Sequence, residues 1–404
     1  MKLSIPKNVN FIINELEKNG YEAYMVGGCV RDQILGKNVD DYDITTNAKP
    51  NDIKNIFKKT IDTGIKHGTV TVLINDNDKL SKYEVTTFRI DGEYLDNRHP
   101  SSIEFVDNLY EDLSRRDFTI NAMAYNDKIG LIDKFDGIND LNKKIIRAVG
   151  DSKQRFTEDA LRMIRAIRFA AKLGFEIEDN TYKSIIDLAE NIKNVSKERI
   201  QIELIKILTS DYPNISILIK KTGLNKYICD NFDKIDFSNL IVTKDFRVAI
   251  CSLLYDLDNY YINILNDLRF DNETKDECSN IIKFKNYFTE NIIKNKLSVY
   301  HIKKLFYYIG YKYFYDLMTI YSNKYNIDLQ YVLDIVDNFK NNNEPIFVKD
   351  LEINGNDLIT IGFKEKQIGD CLISLLDEVH KDKNFNNKNK LINLAKEKYY
   401  GLHE

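Results

Sequence analysis

A change of hydrophobic pattern near residue 145 constrains the fold of this chain more than any other feature. Before it, apolar and polar residues alternate in short runs, which predicts strands over 21–26, 39–46, 68–75 and 81–90. After it, that alternation nearly vanishes, and helical periodicity predicts helices over 157–173, 179–191 and 196–208, with more towards the C-terminus. We therefore expect an α+β fold, with a small mixed sheet and helices first and an elongated all-helical part behind them.

Glycines mark the ends of the first two predicted helices. An amphipathic helix within residues 1–20 stops at Asn19-Gly20, and a short helix from about Val30 to Leu35 is closed by Gly36. The cluster 75–78, of sequence NDND, is a turn signal between the third and fourth predicted strands, so these two strands are expected to form a hairpin.

The composition of the 404 residues is that of a folded protein, because 43% of them are hydrophobic and 30% are charged. No apolar run approaches the roughly 18 residues that span a bilayer, and the N-terminus lacks a signal-peptide core. Five widely spaced cysteines without a CxxC pair suggest neither a disulfide framework nor a zinc site. We expect a soluble cytoplasmic protein with buried free thiols and no membrane partner.

The arginines of this chain are concentrated in its first part. Of 13 arginines among 58 basic residues, ten lie between Arg31 and Arg168, although the net charge of the chain is −4. The guanidinium is a planar fork that grips phosphate or a base edge better than a lysine ammonium does. The distribution indicates nucleotide chemistry in the first 170 or so residues, with a local basic cleft in an acidic protein.

The strongest group of candidate site residues is GGCVRD, residues 27–32, followed by Asp41-Tyr42-Asp43. Two carboxylates two positions apart on a strand point to the same face, so Asp41 and Asp43 can reach one or two divalent cations, as two-metal phosphoryl transfer requires. Gly27 and Gly28 let backbone N–H groups approach phosphate oxygens at the start of a helix. The alternative is a tight turn followed by an Asp-rich loop.

These residues resemble the head-domain signature of the class II tRNA nucleotidyltransferases, the CCA-adding enzymes, and of their relatives the bacterial poly(A) polymerases. Further similar segments follow in order at 84–100, 115–125, 135–151, 155–175 and 196–208. The resemblance is strong over about residues 20–210 and weaker beyond. It implies a nucleotidyltransferase head, a helical neck for base recognition, a helical body and a tRNA-binding tail, at 1–145, 146–210, 211–275 and 276–404.

The resemblance implies a catalytic set of three carboxylates. Asp41 and Asp43 match the positions that hold Mg²⁺, the expected cofactor, and both are therefore catalytic and metal-binding candidates. Glu84 lies on a predicted strand from which a third catalytic carboxylate can face the pair. The alternative for Glu84 is an ordinary solvated strand residue.

The same resemblance implies a nucleotide-binding set in the head. Gly27, Gly28 and Arg31 match the phosphate-binding turn, and Arg116 matches the arginine that reaches the nucleotide. Arg115 is expected to form a salt bridge or to contact the RNA backbone. The alternative for the two adjacent arginines is an ordinary basic loop before a helical stretch.

The predicted helix over 157–173 carries a polar stripe. Asp159, Arg162, Arg165 and Arg168 recur every three residues and form one slowly drifting ridge. Three arginines on one ridge repel each other unless an anion lies there, and a nucleoside triphosphate or an RNA end would supply it. The alternative is a solvated helix with salt bridges, for example from Glu158 to Arg162.

Two residues of this stripe match the base-reading pair of the family. Cytosine and adenine each present an amine donor beside a ring-nitrogen acceptor, which a carboxylate next to a guanidinium complements. Uracil and guanine present the reverse pattern, and the unpaired buried charge would cost about 1–3 kcal/mol. The resemblance therefore implies that Asp159 and Arg162 accept C and A and refuse U and G.

The expected function is template-independent addition of C, C and A to the 3′ end of tRNA from CTP and ATP, with release of pyrophosphate. The segment 89–100, with Asp96 and Arg98, is similar to the loop that complete CCA-adding enzymes use to switch from C to A. The Lys- and Tyr-rich stretch 292–314 is either an RNA contact or an amphipathic helix with a solvated face. DNA is not an expected partner, and the sequence leaves monomer and homodimer open.

Three rival functions are kept. A bacterial poly(A) polymerase or a tRNA enzyme that adds only CC or only A would use the same head. A poly(A) polymerase more often carries a basic C-terminal extension, whereas this chain ends in YYGLHE. A catalytically silent RNA-binding protein on the same fold is the alternative from another class, and it would bind RNA without metal-dependent incorporation.

Overall fold

The computed structural model describes residues 1–76, 79–92, 103–293 and 297–401. Its chain divides into two compact units, each with its own internal contacts. The first unit comprises residues 1–246 and 263–270, and the second comprises 247–262 and 271–404. The four-part division into head, neck, body and tail is not tested by this partition and stays a prediction.

The first unit contains the described strands and the helices that precede residue 229. Its strands are β1 (Ala23–Val26), β2 (Ile44–Thr46), β3 (Thr60–Gly64), β4 (Thr69–Asp76), β5 (Lys79–Thr87), β6 (Arg89–Asp91), β7 (Ile103–Phe105), β8 (Met123–Asn126), β9 (Gly130–Asp133), β10 (Ile145–Ile146) and β11 (Glu176–Ile177). The helices up to residue 228 are α1 (Lys7–Lys18), α2 (Gly28–Ile34), α3 (Pro50–Ile56), α4 (Leu109–Ser114), α5 (Gly137–Lys143), α6 (Ser152–Glu158), α7 (Leu161–Leu173), α8 (Asp179–Leu188), α9 (Lys197–Leu208), α10 (Ile217–Lys221) and α11 (Asn225–Ile228).

From residue 246 onwards the described chain is helical. The helices are α12 (Phe246–Leu254), α13 (Tyr261–Asp267), α14 (Asn272–Ile293), α15 (Val299–Tyr325), α16 (Gln330–Asn341), α17 (Gly355–Ile361), α18 (Lys366–Lys381) and α19 (Lys388–Gly401). Together with the mixed sheet before them, they confirm the predicted α+β class followed by an all-helical part.

A seven-stranded mixed sheet forms the framework of the first unit, in the order β3-β4-β5-β2-β1-β8-β9. β2 and β5 are parallel, with Ile44 opposite Val85, and the other neighbours in this sheet are antiparallel. All four residues of β1 are buried, which suits a central strand covered on both faces. β4 and β5 form the predicted hairpin, of which residues 77–78 lie outside the described part.

The second predicted strand, 39–46, is shorter in the structure. β2 begins only at Ile44, and the last backbone bond to β1 runs from the Val26 N–H to the Asp43 carbonyl at 3.0 Å. Residues 39–42 therefore precede the sheet, and they are left to form the rim of a cleft. Asp43 lies where the strand begins.

Helix α1 confirms the amphipathic pattern read from residues 1–20. Val9, Ile12, Ile13 and Leu16 are buried on one face, at the spacing of successive helical turns. Full burial of such a side chain stabilises the fold by roughly 1.5–3 kcal/mol. The helix ends at Asn19, and Gly20 follows with a φ of +87°, a left-handed conformation that glycine adopts readily.

The predicted helix over 157–173 is wrong at one point, because the structure divides it in two. α6 ends at Glu158 and α7 begins at Leu161, while Asp159 between them is extended, with φ −137° and ψ 102°. The Asp159 carboxylate accepts the Leu161 N–H at 3.1 Å, so the side chain caps the new helix at the expense of a continuous one. The prediction of a helix over 196–208 is confirmed by α9.

In the second unit, two features modify the sequence reading. Gly310 lies inside α15 with φ 79° and ψ 169°, and it kinks the helix that the Lys- and Tyr-rich stretch predicts. Cys251 and Cys278, both buried, are joined in a disulfide, so the prediction of five free thiols is wrong for this pair. Their separation of 27 residues hides the pairing from any spacing rule. None of the helices in the described ranges combines the length and apolarity required to cross a membrane.

Candidate active site

Three carboxylates lie near the point where β2 begins beside β5. Because Ile44 lies opposite Val85 in parallel strands, Asp43 and Glu84 form the next position of the same register, on the opposite face. Asp41 precedes Asp43 by two residues, and all three carboxylates are exposed at the cleft. Asp43 and Glu84 are therefore brought together by the register of the sheet, whereas Asp41 reaches them from the segment that precedes β2, and both act electrostatically on Asp43.

The carboxylates of this set repel one another, and the pKa of Asp43 shows the effect. Its pKa is raised to about 6, first because the surrounding protein removes part of its water, and then by the negative charges of Asp41 and Glu84. The positive charge of Arg116 opposes this rise. The three carboxylates carry more negative charge than Arg116 offsets. Carboxylate oxygens are ligands that suit a hard divalent cation.

The fit to a cation rests on donor chemistry and charge. Within the described residues, no group of three or more His, Cys, Asp or Glu side chains is already arranged to hold a metal ion. Asp41 and Asp43 nevertheless line the same cavity, and the charge of Asp41 helps to raise the pKa of Asp43, an effect that a bound cation would oppose.

A cavity of about 280 Å³ lies next to these carboxylates. Four of the predicted site residues line it, namely Gly28, Arg31, Asp41 and Asp43. Lys172, from the last turn of α7, also lines this cavity. The start of α2, the acidic pair and the end of α7 therefore meet around one space.

Gly27 and Arg116 are in close contact behind this cavity. Gly27 has φ 77° and ψ −128°, a backbone conformation that side chains other than glycine's hydrogen rarely permit. A Cβ at Gly27 would lie 3.2 Å from Nη1 of Arg116. Nε of Arg116 is buried and has no hydrogen-bond partner among the residues that the structure describes, although Nη2 donates to Asp112 at 3.3 Å. An anion with a free oxygen would satisfy this unused donor.

Arg31 already uses its donors within the protein. Nε and Nη2 donate to the two oxygens of Asp32, both at 2.8 Å, and Nη1 donates to Oδ1 of Asn121 at 2.5 Å. Lys172 donates to the same Asp32 at 3.3 Å. The cavity wall at this point is a partly buried ion-pair network, in which the Asp32 carboxylate is shared by Arg31 and Lys172.

The ridge of arginines on α7 is neutralised by carboxylates of the protein. The pairs are Arg162 with Glu158 at 2.7 Å, Arg165 with Asp117 at 2.5 Å, and Arg168 with Glu203 at 2.5 Å. The expectation that this ridge needs a bound anion is thus wrong for the protein alone, since each guanidinium has its own counter-charge. The ridge therefore matches the alternative interpretation, a helix with salt bridges, except that most of these ion pairs are buried and not solvated.

Asp159 and Arg162 bond to different partners. The Asp159 carboxylate pairs with Arg199 of α9, at 2.8 Å, and Arg162 donates to the backbone carbonyl of Arg115 at 3.0 Å. Asp159 lies at the break between α6 and α7, and Arg162 lies in the first turn of α7. The positions of their side chains therefore depend on the helix break and not on a shared helical face. Arg115 itself pairs with Asp112, which fits the salt-bridge option for this residue.

Sequence reasoning missed the side chains that pair with the charged residues in and around the candidate site. These residues are Asp32, Asp112, Asp117, Asn121, Lys172, Arg199 and Glu203. Asp117 and Asn121 lay inside the segment 115–125, where a carboxylate next to two arginines was a usable signal. The loop prediction for 89–100, with Asp96 and Arg98, lies largely outside the described residues; within them, β6 pairs with β7.

Two family models match this chain. The family described as "Poly A polymerase head domain" matches residues 23–147, and the family "Probable RNA and SrmB- binding site of polymerase A" matches residues 174–235. The first covers the sheet and the carboxylate set. The second begins at the end of α7 and includes α8, α9 and the short helices behind them.

Named relatives agree with these models. A CCA-adding enzyme of Leuconostoc mesenteroides is 50% identical over 206 residues, 51% of this chain and 50% of that enzyme. The match therefore spans about half the length of that relative. A CCA-adding enzyme of Staphylococcus aureus is 40% identical over 304 residues, 74% of either chain. The solved Bacillus stearothermophilus CCA-adding enzyme in complex with CTP is 29% identical, with a TM-score of 0.80 over 98% of this chain and 97% of that one. On this identity and coverage, the chain belongs to the family of the CCA-adding enzymes.

Proposed function

We propose that this protein adds C, C and A to the 3′ end of tRNA, without a nucleic-acid template, from CTP and ATP. The observation that carries the proposal is the joining of Asp41 and Asp43 with the glycine turn at Gly28 around one cavity. The relatives of the same family are named for CCA addition, and one of their structures holds CTP. The reaction would release pyrophosphate and needs no covalent intermediate.

The carboxylate set would hold the cations of the reaction, for which we propose Mg²⁺. Asp41 and Asp43 would bind two ions, with Glu84 oriented towards them by the strand register. When bound, such ions lower the pKa of the terminal ribose hydroxyl and offset the charge on the leaving pyrophosphate. The protein's contribution is to keep three carboxylates close together, so that their combined negative charge would be offset by bound cations.

Donors around the cavity would bind the triphosphate. Arg116 supports this most directly, because its Nε is buried without a partner and its charge acts on Asp43. The N–H of Gly27 already donates to the Met123 carbonyl at 3.1 Å, so the backbone donor that this turn would offer is that of Gly28, which lines the cavity. Arg31 closes the wall of the cavity through its pair with Asp32 and keeps this wall in place.

The helix α7 would contribute base and phosphate contacts. For Asp159 and Arg162 to read cytosine or adenine, the base edge has to replace part of their present bonds to Arg199 and Glu158. Arg165 and Arg168 would bind phosphate by a similar exchange. We infer that binding exchanges protein carboxylates for nucleotide groups, which keeps each guanidinium paired throughout.

The proposed partners are CTP, ATP and the 3′ end of tRNA, and the proposed compartment is the cytoplasm, where these substrates occur. The divisions at 1–145, 146–210, 211–275 and 276–404 remain our proposal for head, neck, body and tail. The helical parts would recognise the acceptor arm by shape and phosphate contacts, because double-stranded RNA displays little readable sequence.

A poly(A) polymerase is the second candidate, because the family model of the sheet region carries that description. The two functions differ in when synthesis stops. A CCA-adding enzyme stops after one adenine on tRNA, whereas a poly(A) polymerase continues with ATP alone.

The test is incorporation on three tRNA transcripts that end before CCA, after C and after CC. Each is incubated with Mg²⁺ and one nucleoside triphosphate at a time, and then with CTP and ATP together. We expect stepwise extension that stops at CCA, ignores UTP and GTP, and is lost in Asp41→Ala. Asp62→Ala, which removes an exposed carboxylate of β3, is the matched control and should extend normally.

The other outcomes are equally decisive. Addition that stops at CC would point to a CC-only enzyme, and long adenine tails would support the poly(A) polymerase. Binding of tRNA without incorporation on any transcript would contradict the proposed activity and favour a silent RNA-binding protein.

A further inference from the structure

Asp112 is a fully buried carboxylate that holds two arginines. Its relative exposure is 0%, and it lies in α4. Oδ1 accepts from Nε and Nη2 of Arg115, at 3.0 and 2.7 Å. Oδ2 accepts from Nη2 of Arg116 and from the Thr45 hydroxyl, both at 3.3 Å. A single carboxylate is thus shared between two guanidinium groups and a strand of the central sheet.

The charges in this cluster do not cancel. Burial by itself raises the pKa of Asp112, but the charges of Arg115 and Arg116 more than offset it and lower this pKa overall. Asp112 is therefore ionised, and one negative charge faces two positive ones. A net positive charge remains, and part of it acts on Asp43 through Arg116.

Asp112 also connects the two arginines to the strand that begins next to Asp43. Thr45, which bonds to Oδ2 of Asp112, lies in β2 two residues after Asp43. The positive charge of Arg116 also acts on Asp43, so without Asp112 this carboxylate would be a competing partner for the guanidinium. An arginine that paired with Asp43 would compete with a cation there, and its Nη1 would move away from the glycine turn at Gly27.

We propose that Asp112 is a positioning residue, which holds Arg116 between Gly27 and Asp43 so that its unpartnered Nε–H is available to the triphosphate of the incoming nucleotide. The inference rests on the proposed function, since it assigns the triphosphate as the ligand of Arg116. It concerns a side chain that has no access to solvent or substrate. Asp112 acts only through the guanidinium that it orients.

The chain offers a matched control in Asp140. This carboxylate is also buried, at 2% exposure, and it also accepts from a threonine hydroxyl, that of Thr119 at 2.7 Å, and from an arginine, Arg147 Nε at 3.1 Å. Neither oxygen of Asp140 bonds to a residue of the candidate site. Asp140→Asn therefore reproduces the structural damage of Asp112→Asn without touching Arg116.

The experiment compares the affinity for CTP, measured by calorimetry in EDTA and without RNA, with KM and kcat on a tRNA transcript. Asp112→Asn is expected to weaken CTP binding and to raise KM about tenfold, the effect of losing roughly one charge-assisted contact. Asp140→Asn should change neither, while both variants should lower the melting temperature to a similar extent. In an Arg116→Ala background, Asp112→Asn should have no further effect on CTP affinity, because its action passes through Arg116.

Two results would overturn the inference. One is a CTP affinity of Asp112→Asn equal to that of Asp140→Asn, and the other is a full additive loss on top of Arg116→Ala. If Asp112→Asn does not fold, Thr45→Val keeps all three charges of the cluster and removes the Thr45 hydroxyl, which bonds to Asp112 and also to the Thr86 carbonyl at 3.2 Å, and it should weaken CTP binding about twofold. Because CTP affinity is measured without RNA, it tests Asp112 even if no transcript is extended, which would contradict the proposed function separately.

Discussion

Arg165 and Asp117 form a two-donor ion pair, in which Nη2 and Nε of the guanidinium lie 2.5 and 3.0 Å from one oxygen of the carboxylate. The other oxygen accepts the Phe118 N–H at 2.9 Å and the Asn121 amide at 3.1 Å. Every lone-pair direction of this buried carboxylate is thus engaged. The pair ties α7 to the segment that carries Arg115 and Arg116, so it fixes the two sides of the candidate site to one another.

This pair predicts how stability depends on pH. Burial would raise the pKa of Asp117, but Arg165 and Asn121 lower it to about 2, below the value of roughly 3.9 in an unfolded chain. The carboxylate binds its proton less readily when folded, so its contribution of roughly 2 kcal/mol is present above pH 4 or so and is lost as the pH falls towards 2. Asp117→Asn should lower the free energy of unfolding by about that amount at neutral pH.

Urea titrations of the first unit's transition, repeated between about pH 3 and pH 7, measure this effect. Asp211→Asn is the control, because Asp211 pairs with Lys244 at 2.8 Å on the surface, where its side chain is 60% exposed. Its substitution should barely change stability. An Asp117→Asn curve parallel to that of the wild type through the acid range would show that Asp117 does not cause the acid dependence.

The carboxylates at the end of β2 and β5 should differ in their importance for activity. Asp43→Asn is expected to lower kcat on tRNA transcripts by about a thousandfold or more, since it removes a proposed ligand of the cations. Glu84→Gln should lower kcat by about tenfold, because Glu84 reaches the set only from the neighbouring strand. Single-turnover rates at saturating CTP measure both, and equal losses in the two variants would contradict this order.

Gly27→Ala should damage nucleotide binding as well as stability. The backbone at Gly27 costs about 1–3 kcal/mol for any residue with a side chain, and the new Cβ lies 3.2 Å from Arg116 Nη1. Gly20→Ala is the control for strain alone, since Gly20 has φ +87° with nothing within 4 Å of a Cβ. Thermal melts should show both variants destabilised, and only Gly27→Ala should raise KM for CTP. An unchanged KM would mean that Arg116 adjusts without loss.

Thiol counting tests the disulfide of the second unit. Under denaturing and non-reducing conditions, the structure predicts three reactive thiols, those of Cys29, Cys229 and Cys371. Reduction before denaturation should give five, and Cys251→Ser should give four, because it frees the thiol of Cys278. Five thiols in the unreduced wild type would show that the bond is absent in solution.

Much of the fold and the carboxylate pair could be predicted from local sequence. The double glycine, Asp41 and Asp43 lie within 17 residues of one another, so their proximity is a local property of the sequence, although both carboxylates precede the strand on which they were predicted. The hairpin of β4 and β5 is equally local. These features need no knowledge of distant partners.

The arginine network could not be predicted in this way. Arg165 finds its partner, Asp117, 48 residues earlier in the chain, and Arg168 finds Glu203 on another helix. Periodicity shows which residues share a face but not which residues cover it. The break at Asp159 was missed for a related reason, since the helical pattern continues on both sides of it and only the bond to the Leu161 N–H reveals the cap.

Glu203 is a buried carboxylate, with a side chain that is 5% exposed, and it pairs with Arg168 at 2.5 Å. Burial lowers the pKa of Arg168, and Glu203→Gln would leave this cation with less counter-charge and should lower the melting temperature. If α7 binds phosphate, CTP should stabilise Glu203→Gln more than it stabilises the wild type, since the triphosphate replaces the missing charge. Glu344→Gln, which removes a carboxylate paired with Lys303 and Lys383 in the second unit, should be destabilised without rescue by CTP. Equal thermal shifts in all three proteins would contradict a phosphate role for this ridge.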